Sequence, residues 1–223
     1  MKPTRSRFVS IMSSSANSGN DGRTDRQPAK RAFAEEFGDA SQIFQDGDDE
    51  RSPKFAVLPT GENANRVLAM GTLTETENVA NSSDSEYWQG RVVDPTGTFF
   101  VYAGQYQPEA MAALRGMEAP EYVAIVGKPR TYEGDDGDML TSITPESVTK
   151  IRQETRDQWV VETAEQTLDR INAMEADEGE AAARAQEAYP EAEMSEYRQE
   201  VGEALAQVAG IELESEDDSE ADE

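Results

Sequence analysis

Between Tyr87 and Ala103 the chain sets three aromatics, an amide and an arginine at spacings that one β-hairpin would gather on one side. Asp94-Pro95-Thr96-Gly97 reads as a tight turn between two β-rich runs, 86–93 and 98–104. Folded so, Val93 faces Thr98, Val92 faces Phe99, Arg91 faces Phe100 and Gln89 faces Tyr102. Side chains alternate between faces along a strand. Tyr87, Gln89, Arg91, Phe100 and Tyr102 then share one face, while Trp88, Gly90, Val92, Phe99, Val101 and Ala103 share the other. The second set is apolar and reads as core. The first suits stacking on flat π-systems and neutralisation of anions by a guanidinium. Two alternatives stay open. Phe100 and Tyr102 could pack beneath a terminal helix, because strand aromatics are commonly core residues. A one-residue bulge would exchange the faces and put Trp88 outside.

A second group, Lys128, Arg130 and Tyr132, falls on one face of the run 121–132, with Pro129 suggesting a bend or a free edge. A solvated edge is the plainer reading of that group. Arg66 and Lys54 are weaker candidates. The chain has no His and no Cys, so Cys or His zinc sites, Ser-His-Asp triads and Cys-His pairs have no residues to build on. The acidic loops 46–50 and 135–138 lack the twelve-residue EF-hand spacing and read as solvated turns. There is no phosphate loop and no dinucleotide glycine fingerprint. No catalytic residue, metal site or cofactor is expected.

The elements that must position these side chains follow from periodicity. A short helix is expected within 28–37 and a polar loop over 46–53. A short apolar run at 55–58 precedes strand-like runs at 66–74, 86–93 and 98–104, then a helix at 108–117, then strands at 121–132 and 140–151. Three strands, a helix and two strands over some 85 residues is the order of an OB-fold barrel. Beyond it, Val161, Ala164, Leu168 and Ile171 repeat at three, four, three, which is an a/d seam for a partner subunit or for the chain itself. A second seam runs Met194, Tyr197, Val201, Leu205 (or Ala204) and Val208, with Gly210 as its stop. The expected organisation is a disordered extension at 1–27 (Met12 being an alternative start) and a short helix and loop at 28–53. The OB-fold domain at 54–151 and an amphipathic helix and candidate subunit interface at 152–175 follow. A linker at 176–190, a second amphipathic helix at 191–209 and a disordered acidic tail at 210–223 complete it.

The 223 residues hold 46 Asp and Glu against 20 Lys and Arg, for a net charge of −26. The excess is uneven: residues 54–150 are net −7 and residues 151–223 net −18. Only five of the basic residues are Lys. Acid in excess with scarce Lys suits molar salt, where self-repulsion is screened; an acidic mesophilic protein is the alternative. No apolar run is long enough to span a bilayer and no secretory apolar region follows the basic amino terminus. A cytoplasmic protein is expected.

The stretches GTLTETE (71–77), YWQGRVVDPTGTFFVYAGQYQPEA (87–110), YVAIVGKPRTYE (122–133) and TRDQWVVETAEQTLDRI (155–171) resemble the haloarchaeal replication protein A-associated proteins. That family is similar to the second, smaller subunit of replication protein A, and the resemblance covers about residues 28–175. It implies an accessory OB-fold subunit without enzymatic activity, acting beside a larger replication protein A-like subunit on single-stranded DNA in replication and repair. A protein–protein adaptor that scaffolds such a complex without touching DNA is the competing expectation.

Overall fold

In the computed structural model, residues 27–211 are described, except 48, 50, 51, 81, 83, 84 and 135. The amino-terminal extension up to 26 and the acidic tail from 212 lie outside the described residues.

Five strands make the centre: β5 (Val67–Asn78), β6 (Trp88–Val93), β7 (Thr98–Ala103), β8 (Glu121–Glu133) and β9 (Met139–Lys150). They pair in the order β5-β6-β7-β9-β8, and β8 returns to β5. The sheet therefore closes into a barrel, with the start of β5 left uncovered by β6. β7 and β9 run parallel and the other neighbours antiparallel. The helix α2 (Pro108–Gly116) lies between β7 and β8 in sequence, with Pro108 opening its first turn. Closure, strand order and helix position together make this an OB-fold. The interior is apolar: Leu73, Val92, Phe99, Val101, Val123, Ile125 and Ile143 are almost wholly buried. β8 bends at Gly127, where a register shift occurs and a Cβ would come within 2.5 Å of both Ile143 Cγ2 and Thr144 O. Its pairing with β5 ends at that residue. Pro129, which has no N–H to donate, therefore stands where that side of the strand is free. The β8–β9 hairpin continues outward as an arm to its turn at 134–138.

The segment before the barrel is richer than a short helix and loop. A helix over 28–37 does not form. Lys30–Arg31 instead pair parallel to β5 as β1, and the helix α1 is limited to Ala34–Gly38. Glu36 accepts the Phe33 N–H (2.9 Å) and so holds the helix start. Phe37 packs on Phe99, 5.5 Å between ring centroids. β2 (Gln42–Gln45), β3 (Lys54–Leu58) and β4 (Glu62–Ala64) form a separate three-stranded meander.

Three helices follow the barrel: α3 (Gln153–Glu175), α4 (Glu180–Ala188) and α5 (Met194–Ala209). Trp159 donates its indole N–H to Leu68 O (3.1 Å) and meets Phe33 edge-on at 5.8 Å, which fixes α3 to β5 and α1. The stretch 176–190 is not a plain linker. Ala182 and Ala185 of α4 are buried with Val57 and Met174, and Tyr189 donates to Val57 O (2.8 Å). Val201 and Ala204 of α5 join the main core. No helix of the described residues is long and apolar enough to cross a membrane.

Candidate nucleic-acid interface

The β6–β7 hairpin has the register that alternation and the four-residue turn demand: Val93 opposite Thr98, Arg91 opposite Phe100 and Gln89 opposite Tyr102. Asp94 holds the turn by accepting from Thr96 N (2.8 Å), Thr96 Oγ1 (2.9 Å) and Gly97 N (3.0 Å), and it also accepts the Ala34 N–H (2.8 Å). Burial raises its carboxyl to about 6 against those hydrogen bonds. With the register fixed, Gly90, Val92, Phe99, Val101 and Ala103 point inward and are buried, while Trp88 is half-buried. Tyr87, Gln89, Phe100 and Tyr102 are half-buried on the outer face, and Arg91 is exposed there.

The outer face is ordered by its own contacts. Tyr87 and Tyr102 stack at 5.7 Å with their planes 15° apart. Gln89 Nε2 donates to the Tyr102 hydroxyl (3.0 Å). Burial, and then a hydrogen bond with Tyr132, push the Tyr102 phenol up to about 12, so it stays a neutral donor at any working pH. Tyr87 is held by Asn78, whose Oδ1 accepts its N–H (3.1 Å), and by Val79 N, which donates to Tyr87 O (2.8 Å). The loop that precedes it is tied to α2 through Arg115 and Glu86, 3.1 Å apart.

The structure joins the two groups of candidates. Tyr87, Tyr102, Arg130, Tyr132 and Ser142 line one cavity of about 230 Å³. A larger depression of about 960 Å³ continues from Tyr87, Tyr102 and Arg130 past Ser85 to Tyr106, Gln107 and Met111. A third, of about 460 Å³, runs on from Tyr106 and Thr144 to Lys128 and Pro145. The groove therefore crosses β7, β9 and β8, between the loop 79–87 and the β8–β9 arm. Arg91 and Phe100 lie beside it on the hairpin face and line none of these cavities. Reading the sequence missed Tyr106, Thr144 and Ser142. A lone Tyr in a turn and two hydroxyls on a strand carry no pattern of their own.

The charge pattern gathers three unpaired cations on this face. Among the described residues, eight Lys and Arg side chains form ion pairs with carboxylates and six form none; three of those six, Lys54, Arg152 and Arg184, line none of the three depressions, and the other three, Arg91, Lys128 and Arg130, lie in or beside the groove. In a chain with this excess of acid, three cations beside one aromatic groove are left free to meet an anion from outside.

The candidate interface helix is different. Ala164 and Ile171 are buried within the chain and Leu168 is half-buried against the core. Val161 is 49% exposed. The buried stripe of α3 is Trp159, Val160, Thr163, Ala164, Thr167, Ile171 and Met174, one position out of phase with Val161. The seam thus packs mainly on its own barrel and on α5, the intramolecular option. Of the weaker candidates, Arg66 is ion-paired with Glu146, and Lys54 is exposed on β3, away from the groove.

No family model matches the chain, and no curated protein sequence matches it. Solved structures similar to it include the S. pombe Stn1–Ten1 complex, at 11% identity and TM-score 0.43, covering 51% of this chain and 78% of that one. A replication protein A heterotrimer bound to ssDNA is similar at 12% identity and TM-score 0.36, covering 56% and 88%. Asparaginyl-tRNA synthetase from Pyrococcus horikoshii is similar at 14% identity and TM-score 0.33, covering 44% of this chain and 22% of the enzyme. These are distant likenesses of backbone, and it is the closed order β5-β6-β7-β9-β8 with α2 after its third strand that makes the chain an OB-fold protein.

Proposed function

We propose that this chain is a non-enzymatic OB-fold subunit that binds single-stranded DNA, working beside a larger replication protein A-like subunit in replication and repair. One observation carries the DNA-binding part: an aromatic groove on the barrel is flanked by Arg91, Lys128 and Arg130, which have no ion-pair partner among the described residues. Stacking supplies about 1–3 kcal/mol per base and tolerates any sequence. Double-stranded DNA hides its π-faces, so the groove favours a single strand. The likenesses to solved structures are too distant to assign a ligand; the groove supports this reading by itself.

The overall charge shapes the binding. Counterion release weakens as salt rises, and in molar salt stacking is left as the larger share. An acidic barrel with three free cations makes a modest binder alone, and the partner subunit is expected to supply most of the affinity. The test is a titration of labelled single-stranded and duplex oligonucleotides with the full chain at molar salt, alone and with the co-purifying partner. Binding of single strands in preference to duplex, tightened by the partner, is expected. No single-strand binding by either form would leave the adaptor reading.

A further inference from the structure

Tyr106 is 83% exposed, far more than any other large hydrophobic side chain described. Its backbone is nevertheless held. Gln107 N donates to Gly104 O (2.9 Å), Gly104 N donates to Gln107 Oε1 (3.2 Å) and Met111 N donates to Gln107 O (2.8 Å). Pro108 then fixes the start of α2. A rigid turn therefore presents a whole aromatic ring to solvent, where it gains nothing for the fold.

Its position explains the ring. Tyr106 lines both the 960 Å³ depression that holds Tyr102 and Arg130 and the 460 Å³ depression that holds Lys128. Arg130 and Lys128 are two residues apart on β8, about 6.7 Å along the strand, which matches the step between successive phosphates of an extended strand. Glu146 and Glu109 border the second depression; the charge of Glu146 is met by Arg66, and Glu109, in the first turn of α2, is in no ion pair among the described residues. The same groove thus repeats one unit, an aromatic beside an unpaired cation.

We propose that Tyr106 is a second base-stacking position, so that a strand stacked at Tyr102 with a phosphate on Arg130 continues over Tyr106 with the next phosphate on Lys128. This rests on the single-strand reading of the groove and adds a path and a minimum length to it.

The test uses the full chain at molar salt and fluorescent oligothymidylates of two to eight residues, read by anisotropy with protein up to the millimolar range. Wild-type affinity should rise in two steps with length. Tyr106→Ala should lose the second step, weakening the longer oligonucleotides about 5- to 100-fold and leaving the shortest unchanged, while Tyr106→Phe keeps both. An unchanged melting temperature is expected for an exposed ring and shows that the fold is intact. If Tyr102→Ala weakens binding but Tyr106→Ala leaves every length unaffected, or weakens all lengths equally, the second position is wrong and the proposed function stands. If the wild type binds no oligonucleotide at any length, alone or with the co-purifying partner, both fall.

Discussion

Glu36 and Arg170 meet inside the protein, Oε1 and a guanidinium nitrogen 2.8 Å apart, with only 1% and 11% of their side chains exposed. Arg170 reaches both carboxylate oxygens, Thr60 donates its hydroxyl to Glu36 (2.5 Å) and Thr167 donates another (3.2 Å). The pair locks α1, the turn after β3 and α3 to one another. Removing one partner from such a pair leaves an uncompensated buried charge and costs about 3–5 kcal/mol. Arg170→Met should therefore lower the urea midpoint strongly at fixed salt, and Glu36→Met with Arg170→Met together should recover much of the loss. A single-variant cost below about 0.5 kcal/mol, the scale of an ordinary surface change, would show the pair to be idle.

Stability should fall as pH rises from about 5 to 8. Desolvation, and then Glu35 and Asp39 nearby, raise Glu200 to about 7; burial raises Asp94 to about 6; Glu35 is also raised, by desolvation and by Asp39. A carboxyl whose folded value lies above its unfolded one binds protons more tightly when folded. Its contribution is complete below the unfolded value and is lost as pH rises through the folded one, here through 6 to 7. Melting temperatures measured from pH 5 to 8 in molar salt should decline. Glu200→Gln should flatten that decline, and a midpoint rising across the window would contradict the assignment.

Truncating one aromatic of the groove and one of the hairpin face beside it tests the stacking surface. Phe100→Ala with Tyr102→Ala should weaken single-strand binding by the assembled complex about 10-fold or more, given about 1–3 kcal/mol per stacked base. Unchanged binding in the same anisotropy assay would favour the adaptor.

Lys128→Ala and Arg130→Ala should act through charge. Each phosphate that no longer meets a cation should reduce the slope of log affinity against log salt by about 0.7 for a single strand. Titrations at several salt concentrations give that slope, and an unaltered slope would place both cations away from the bound strand.

Val161→Glu separates packing from assembly. At 49% exposure the change should move stability by less than about 0.5 kcal/mol. Loss of the co-purifying subunit from this variant would put a partner surface on the outer side of α3; full retention would leave the helix with its intramolecular role.

The hairpin face was open to sequence reasoning because a Pro/Gly turn sets its register and strict alternation does the rest. α3 was visible as a helix, but its buried stripe was misphased. Thr163 and Thr167 sit at the centre of that stripe with their hydroxyls satisfied, by Trp159 O (2.7 Å) and by Glu36, so a pattern built on apolar residues slid to Val161. α4 is alanine-rich, and its place is set by Val57 and Met174, distant in sequence. β1 exists only because β5 offers a parallel edge to Lys30 and Arg31. The meeting of Tyr132 with Tyr102 depends on the parallel pairing of β7 with β9, which sets the β8–β9 hairpin beside the β6–β7 hairpin and which no local period encodes.

The order of synthesis adds a consequence. Glu36 waits for Arg170, 134 residues later, and Asp39 waits for the Tyr197 hydroxyl, 158 residues later. At typical elongation rates that is roughly 7 to 30 s in which Phe33, Phe37 and Glu36 have left the ribosome without their cover. The barrel strands can form during that interval, but the finished molecule cannot. The last of the described helices to leave the ribosome is thus the one that completes the cover of the first.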